Sequence, residues 1–203
     1  MRPRFHAPGL TATTDCLELP SEEAEHLVRV LRLGVGDAVD VFNGHGGLWR
    51  AEVVEAGKKS VVVRPVEPLV PARELETHVT LVLAVLKGDK MDDVVRDAVM
   101  LGVAAIQPVI SERTEVSPAV LARSARAARW RRIAVSSAKQ CGRAVVPEIL
   151  EPVLLSQYWT ESVSAARVMC VEPSAALGDT ISVDAVAPTR AVDLIIGPEG
   201  GWA

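Results

Sequence analysis

Apolar positions along the chain change their spacing after residue 77, and the two sides read as different kinds of structure. In the first stretch Ala24, Leu27, Val28 and Leu31 recur at helical intervals behind Pro20-Ser21 and the acids Glu22, Glu23 and Glu25. Ser21 is the expected N-cap, and acids suit the positive end of a helix. That phase turns His26, Arg29 and Arg32 to the other side, and Gly34-Val35-Gly36-Asp37 ends the helix. Strands are predicted over 38–42, 48–55 and 60–66, separated by Gly/Asn-rich and Gly-Lys-Lys turns. Residues 1–70 therefore read as a small β-rich unit carrying one helix, a meander or small barrel. His26 is assigned no chemistry.

Pro65, Pro68 and Pro71, followed by the charged stretch at 72–76, predict a linker. Beyond it strands alternate with helices. A near-continuous apolar strand over 79–86 has the pattern of a strand buried on both faces of a parallel sheet. A helix over 91–101 follows, with Met91, Val94, Val95, Ala98 and Leu101 on one face and Gly102 closing it. A strand over 104–110 leads to the polar turn Ser111-Glu112-Arg113-Thr114, and Ser117-Pro118 opens a helical region running through Trp130 to about Gln140. A helix near 156–165 and strands over 167–171 and 192–196 complete the series. This alternation implies right-handed crossovers and a parallel sheet in a second domain, 74–203.

Charge changes the picture more than composition does. The chain has a net charge of −4, 49% hydrophobic residues and only 3% aromatics, so its cores are built from aliphatic side chains. Between Ala119 and Pro147, however, lie seven cations (Arg123, Arg126, Arg129, Arg131, Arg132, Lys139 and Arg143) and no acid. A basic stripe on an acidic body suggests phosphate contacts, whereas a merely solvated helix face intersperses both signs. Three cysteines, Cys16, Cys141 and Cys170, lie far apart without a Cys-x-x-Cys. They suit a reducing cytoplasm and offer neither a disulfide framework nor a metal site. No apolar run is long enough to span a membrane, and the cationic start has no apolar segment after it.

Dinucleotide, P-loop, zinc-protease and nucleophile-elbow motifs are all lacking. Four other pieces stand out: Leu86-Lys87-Gly88-Asp89-Lys90-Met91-Asp92; Ser111-Glu112-Arg113-Thr114; Ala138-Lys139-Gln140-Cys141-Gly142-Arg143 with Val146-Pro147-Glu148; and Ile196-Gly197-Pro198-Glu199-Gly200-Gly201-Trp202. By itself the last is either a tight glycine turn or a loop that lets a ligand approach the backbone. Together, in this order, and with Met1-Arg2-Pro3-Arg4-Phe5, His26-Leu27-Val28-Arg29-Val30-Leu31-Arg32 and Gly36-Asp37, they resemble the RsmE family. These are ribosomal RNA uridine-N3 methyltransferases of the SPOUT, or trefoil-knot, superfamily.

The resemblance implies an N-terminal PUA-like RNA-binding β-barrel and a C-terminal knotted α/β domain. It also implies a homodimer with the active site at the subunit interface, S-adenosylmethionine as methyl donor, and 16S rRNA of the small ribosomal subunit as partner. The family's cofactor loops fall on Glu172 and Pro173 and on Ile196, Gly197, Pro198, Glu199, Gly200 and Gly201. A third loop, Leu-Gly-x-Arg-x-Leu-Arg-x-Glu-Thr-Ala, has no counterpart in these residues, so the knot region is expected to be incomplete here. RNA contacts are expected from Arg2, Arg4, Arg29 and Arg32 and from the stripe residues Arg123, Arg126, Arg129, Arg132, Lys139 and Arg143. The candidate catalytic residues are Arg113, Arg143 and Glu199. An arginine can stabilise charge developing on the uracil carbonyls, or else contact phosphate or pair with Glu112. Glu199 either takes the N3 proton or holds backbone amides or the cofactor. Other readings are a SPOUT enzyme acting on tRNA or another rRNA position, and a non-catalytic RNA-binding or ribosome-assembly protein.

Overall fold

The structure, a computed structural model, describes residues 2–57, 60–161, 166–171 and 190–198, the side chains of Ala122, Arg123 and Glu161 aside. The chain forms two compact units: residues 1–74 with 138–146, and residues 75–137 with 147–203.

In the first unit β1 (Arg4–His6) lies parallel to β3 (Ala38–Phe42), and β4 (Leu48–Ala56) and β5 (Val61–Pro68) continue the sheet antiparallel. The short β2 (Leu17–Glu18) closes the order β1-β3-β4-β5-β2. Alternation along the strands drives Val39, Val41, Ala51, Val53, Val61 and Val63 inward, where they meet Phe5 and Leu27. Register shifts at Arg50/Ala51 and Val53/Glu55 increase the local twist and curl the ladder. Pro65 and Pro68, expected in a linker, stand inside β5. They lie beyond Val63, where β2 no longer flanks the strand and proline is tolerated.

The helix differs from its prediction at both ends. Pro20, in extended conformation (φ −50°, ψ 146°), occupies the N-cap, and its carbonyl accepts the first helical bond from Ala24 N at 2.9 Å. Ser21 is already helical and caps nothing. After α1 (Ser21–Glu25) the coil widens into a π-helical segment, His26–Val30, in which Leu31 N donates to His26 O. The extra residue per turn breaks the expected phase: Leu27 stays buried while Val30 and Leu31 emerge. Arg32 ends the coil at φ 55°, a left-handed conformation that no other non-glycine among the described residues adopts.

The second unit is a parallel sheet of order β10-β11-β6-β7, with two short strands on the outer side of β7. In chain order these are β6 (His78–Ala84), β7 (Ala105–Ile110), β8 (Glu148–Ile149), β9 (Val153–Leu154), β10 (Arg167–Cys170) and β11 (Ala191–Ile196). The buried run Leu81–Ala84, continued by Val85 just after the strand, accounts for the uninterrupted apolar pattern at the end of β6. Helix α2 (Lys90–Leu101) buries Met91, Val95, Ala98 and Val99, and Gly102 stops it at φ 98°. Leu101, expected inside, is 78% exposed. At 100° per residue it stands roughly 100° from the centre of the buried face, outside the stripe.

The basic region forms two helices, not one. In α3 (Pro118–Arg123), Ser117 caps and Pro118 starts the helix as expected, and α4 spans Arg126–Cys141. Ser124 breaks them apart. Its backbone is extended, and its hydroxyl donates to Leu121 O at 2.8 Å and accepts from Arg126 N at 3.4 Å, capping one helix and opening the next.

Helix α5 (Leu155–Glu161) buries Tyr158 against Val82, Ala84, Val109 and Ile195. The Tyr158 hydroxyl donates to Asp193 Oδ2 at 2.6 Å, satisfying a carboxylate buried on β11. Replacing Tyr158 by Phe keeps the packing but removes a hydrogen bond to a charged group. Chemical denaturation should register a loss of about 1.5–3 kcal/mol; an unchanged midpoint would mean that the carboxylate does not depend on this hydroxyl.

Candidate functional site

Because the strands are parallel, their carboxyl ends leave the sheet along one edge. The register aligns Cys170 with Ile196, Ile196 with Leu83, and Leu83 with Pro108, so one row crosses the four central strands. The connections after β10, β11, β6 and β7 all start beyond that row. This is the edge at which open α/β sheets bind ligands. Two of the four sequence motifs, Leu86–Asp92 and Ser111–Thr114, begin there, and Gly197 and Pro198 of the last motif follow β11.

Arg113 is held at this edge by a tight turn. Ser111 N donates to Thr114 Oγ1 at 3.0 Å, Thr114 N donates to Ser111 O at 3.1 Å, and the two hydroxyls lie 3.1 Å apart. The backbone carrying the guanidinium is therefore locked at both flanks. A cavity of about 50 Å³ opens beside it, with Lys87, Arg113 and Pro198 among its lining residues. The structure thus brings Arg113 together with Pro198. Lys87, which lines the cavity, bonds Glu115 at 2.8 Å. Sequence reasoning placed Lys87 in a motif but gave it no role, because the partner that marks it lies 28 positions away. Glu172, Pro173, Glu199, Gly200 and Gly201, the rest of the expected cofactor wall and one catalytic candidate, lie outside the described residues.

Arg143 belongs to the first unit. Its guanidinium is buried and grips Glu74, with Nε 2.9 and 3.2 Å and Nη2 2.6 Å from the carboxylate oxygens. Around it the segment 138–146 is stitched into the β unit. Gly46 N donates to Ala144 O at 3.0 Å, Val146 N donates to Gly44 O at 2.9 Å, and Arg4 Nη2 donates to Arg143 O at 3.0 Å. Lys139 bonds Glu23 at 2.6 Å and sits 5.3 Å from the centre of the Phe5 ring. The motif that resembles a family signature is, in this unit, a clasp: two cations on a returning segment each close on a carboxylate of the barrel.

The expected RNA stripe is correspondingly reduced. Lys139 and Arg143 point into the unit, and Arg4 is half-buried over Phe42, with burial lowering its pKa. Arg129 pairs with Asp92 at 2.5 Å and Asp89 at 3.5 Å, and Arg131 pairs with Glu151 at 2.5 Å. One guanidinium nitrogen of Arg126 is buried without a hydrogen-bond partner. Arg132 and, at the barrel, Arg2 and Arg32 are exposed and enter no ion pair among the described residues; exposed Arg29 pairs with Glu25. The side chain of Arg123 is outside the described set. The reading from sequence counted charges along the chain. Pairing happens through space, so acids distant in sequence neutralise part of the run.

His6 lies beneath the Gly44 turn that receives Val146; a Cβ at Gly44 would stand 2.9 Å from His6 Nε2. Burial lowers its pKa below the ordinary 6.5; nearby Glu23 opposes this, while Lys139 and His45 add to it. The folded state then resists a proton that the unfolded chain accepts. The stabilising contribution is present above pH 6.5 and lost as pH falls through the lowered folded value. A His6→Gln variant should flatten the acid limb of a stability-versus-pH curve just below pH 6.5; an identical slope would exclude His6 as its source.

Comparison with known proteins adds identity to this geometry. A family model described as an RNA methyltransferase domain matches residues 73–203, and one described as an RNA methyltransferase PUA domain matches residues 19–66. The chain is 32% identical over 189 residues to the ribosomal RNA small subunit methyltransferase E of Synechocystis sp.. The match covers 91% of this chain and 59% of that protein, so the chain spans less than two thirds of that relative's length. Among solved structures, a methyltransferase from Legionella pneumophila in complex with the bound cofactor SAM superposes with a TM-score of 0.89 at 32% identity, covering 100% of this chain and 82% of that one. A ribosomal RNA small subunit methyltransferase E from Neisseria gonorrhoeae, bound to S-adenosyl methionine, gives 0.84 at 30% identity, with the same coverage.

Proposed function

Since the chain belongs to the RNA methyltransferase family, by a match across residues 73–203, we propose that it transfers a methyl group from S-adenosylmethionine to N3 of a uridine in 16S rRNA. The expected fold class holds: an N-terminal PUA-like unit and a C-terminal α/β domain like those of the SPOUT methyltransferases. The observation that carries the reading is the row of aligned strand ends with Arg113 locked beside Pro198.

The residues present suit the donor. Ile196, Gly197 and Pro198 are half-buried at the end of β11, next to the buried Leu83 and Ala84 of β6 and Val85 just after it. They form an apolar wall whose backbone leaves the ladder at Gly197, of the kind that accepts an adenosine without side-chain charge. S-adenosylmethionine supplies a methyl carbon already activated by its sulfonium. As the bond from N3 to that carbon forms, the carbon–sulfur bond breaks and its electron pair returns to sulfur, leaving a neutral thioether. The N3 proton departs to solvent or to a base. Negative charge grows on the two flanking uracil carbonyl oxygens, and the Arg113 guanidinium stabilises it. N3 lies on the Watson–Crick edge, so the uridine must be unpaired or flipped to reach this edge of the sheet.

The remaining cofactor contacts come from Glu172, Pro173, Glu199, Gly200 and Gly201. Exposed Arg132, Arg2, Arg29 and Arg32 contact RNA phosphates, which fixes position without reading sequence. The enzyme works as a homodimer in the cytoplasm, where ribosomal subunits are assembled. Incubation with radiolabelled S-adenosylmethionine and small subunits from cells lacking the gene tests the proposal. Label in 16S rRNA is expected, and its absence would reject the proposal.

A further inference from the structure

Three locally unfavourable features coincide within a few residues of the first unit. The coil widens into a π turn over His26–Val30, with Leu31 N donating to His26 O at 3.1 Å. Arg32 takes φ 55°, a backbone conformation that strains any residue bearing a side chain. Val30 and Leu31 are 65% and 38% exposed, between the exposed Arg29 and Arg32. A helix packed on a core turns at least one of any four consecutive residues inward. Here four in a row, 29–32, are exposed. The base of this tip is nevertheless anchored. Leu27 is fully buried, Val28 and Leu33 pack against the same core, and Leu33 N donates to Leu27 O at 3.1 Å. Lys139 Nζ, bonded to Glu23 at 2.6 Å, stands 3.5 Å from His26 Nδ1 where the π turn begins. Local rules broken together on an anchored base mark a place kept for binding and not for folding.

We infer that residues 29–32 bind unpaired RNA: Val30 and Leu31 pack against an unstacked base while Arg29 and Arg32 hold adjoining phosphates. The inference rests on the proposed RNA methyltransferase function and specifies the form of RNA that the first unit takes. Charge selects the occupant. Arg32 enters no ion pair among the described residues, and Arg29 meets Glu25 in an exposed pair of the kind that a phosphate displaces readily. An apolar protein surface would cover both guanidinium groups without giving either an acceptor, whereas nucleic acid supplies an anion for each. A duplex keeps its base faces stacked inside, so the apolar pair gains nothing from it. An unpaired nucleotide offers a base face to Val30 and Leu31, and a guanidinium plane also lies well against a base. The left-handed backbone at Arg32 fixes the direction in which its side chain leaves the chain directly after Leu31.

Equilibrium binding of a labelled single-stranded RNA of mixed sequence, and of the same RNA annealed to its complement, tests this on the full chain without requiring turnover. Replacing Val30 and Leu31 together by serine should weaken single-strand binding about three- to tenfold. The slope of log affinity against log salt should stay the same, since no charge is lost, and so should duplex affinity. Both side chains are exposed, so the melting temperature should hold. Arg32→Gly should make the single-strand slope shallower by about 0.7, one phosphate contact. The same variant should melt roughly 2–4 °C higher, because glycine adopts φ 55° without strain. A higher melting temperature with an unchanged slope would overturn the inference, since the strain would then serve only the turn. Equal losses on single strand and duplex in the serine variant would overturn it too. So would a serine variant that keeps its RNA affinity but loses self-association, since the apolar pair would then face a second copy. Wild-type protein that binds single strands with this dependence but transfers no methyl group would instead reject the proposed activity and leave the tip standing.

Discussion

Replacing Arg113 by alanine is expected to lower kcat by about 10²–10³-fold, with little change in melting temperature. That is the loss found when one preorganised donor to a developing oxyanion is removed. The size follows from geometry. The turn bearing Arg113 is closed by Ser111 and Thr114 before any ligand arrives, so the backbone from which the guanidinium extends is already in place. Single-turnover rates with S-adenosylmethionine and small subunits measure the effect. Arg113→Lys should recover only part of it, because an ammonium cannot span two carbonyl oxygens as a guanidinium fork does. Thr114→Ser keeps the clamp and should keep the rate. A normal single-turnover rate in Arg113→Ala would remove this residue from the mechanism.

The second large effect concerns folding. Lys139→Met leaves the Glu23 carboxylate buried without its cation, and losing one partner of a buried pair costs about 3–5 kcal/mol. In a chain of 203 residues that corresponds to a fall of roughly 6–20 °C in melting temperature. Pairing it with Glu23→Leu should restore most of the loss, since replacing both charges by apolar groups of similar volume is close to neutral. Calorimetry of the two single variants and the double variant separates the possibilities. Equal losses in all three would mean that the segment 138–146 is held by its backbone bonds to Gly44 and Gly46 and not by the clasp of charges. Arg143 falls under the same reasoning: its variants should lose stability through Glu74 before they reveal anything about catalysis.

Much of this architecture was legible in the chain because it is local. The alternation in Ala38–Phe42 placed β3 to the residue, and the uninterrupted run of β6 announced a strand covered on both faces. Ser117-Pro118 marked its helix start correctly. What could not be read depends on partners far away. The return of residues 138–146 to the barrel leaves no periodicity, since it consists of two isolated bridges and a few backbone bonds. The π-helical segment His26–Val30 satisfies the same apolar spacing as an α-helix until its hydrogen bonds are seen. The basic run looked like one phosphate-binding face because the carboxylates of Glu23, Glu74, Asp92 and Glu151 are remote in sequence from the cations they meet. At the site, the motifs pointed to Arg113 and Pro198 separately; the parallel register explains why they share one edge.

Uridine-N3 methylation at this edge is tested most directly by its product. Small subunits from cells lacking the gene, treated with the protein and S-adenosylmethionine, can be digested and their 16S nucleosides resolved by mass spectrometry. One new nucleoside, 3-methyluridine, is expected, formed in proportion to enzyme and strongly reduced with Arg113→Ala. A methyl group on another base or on ribose, or none at all, would contradict it.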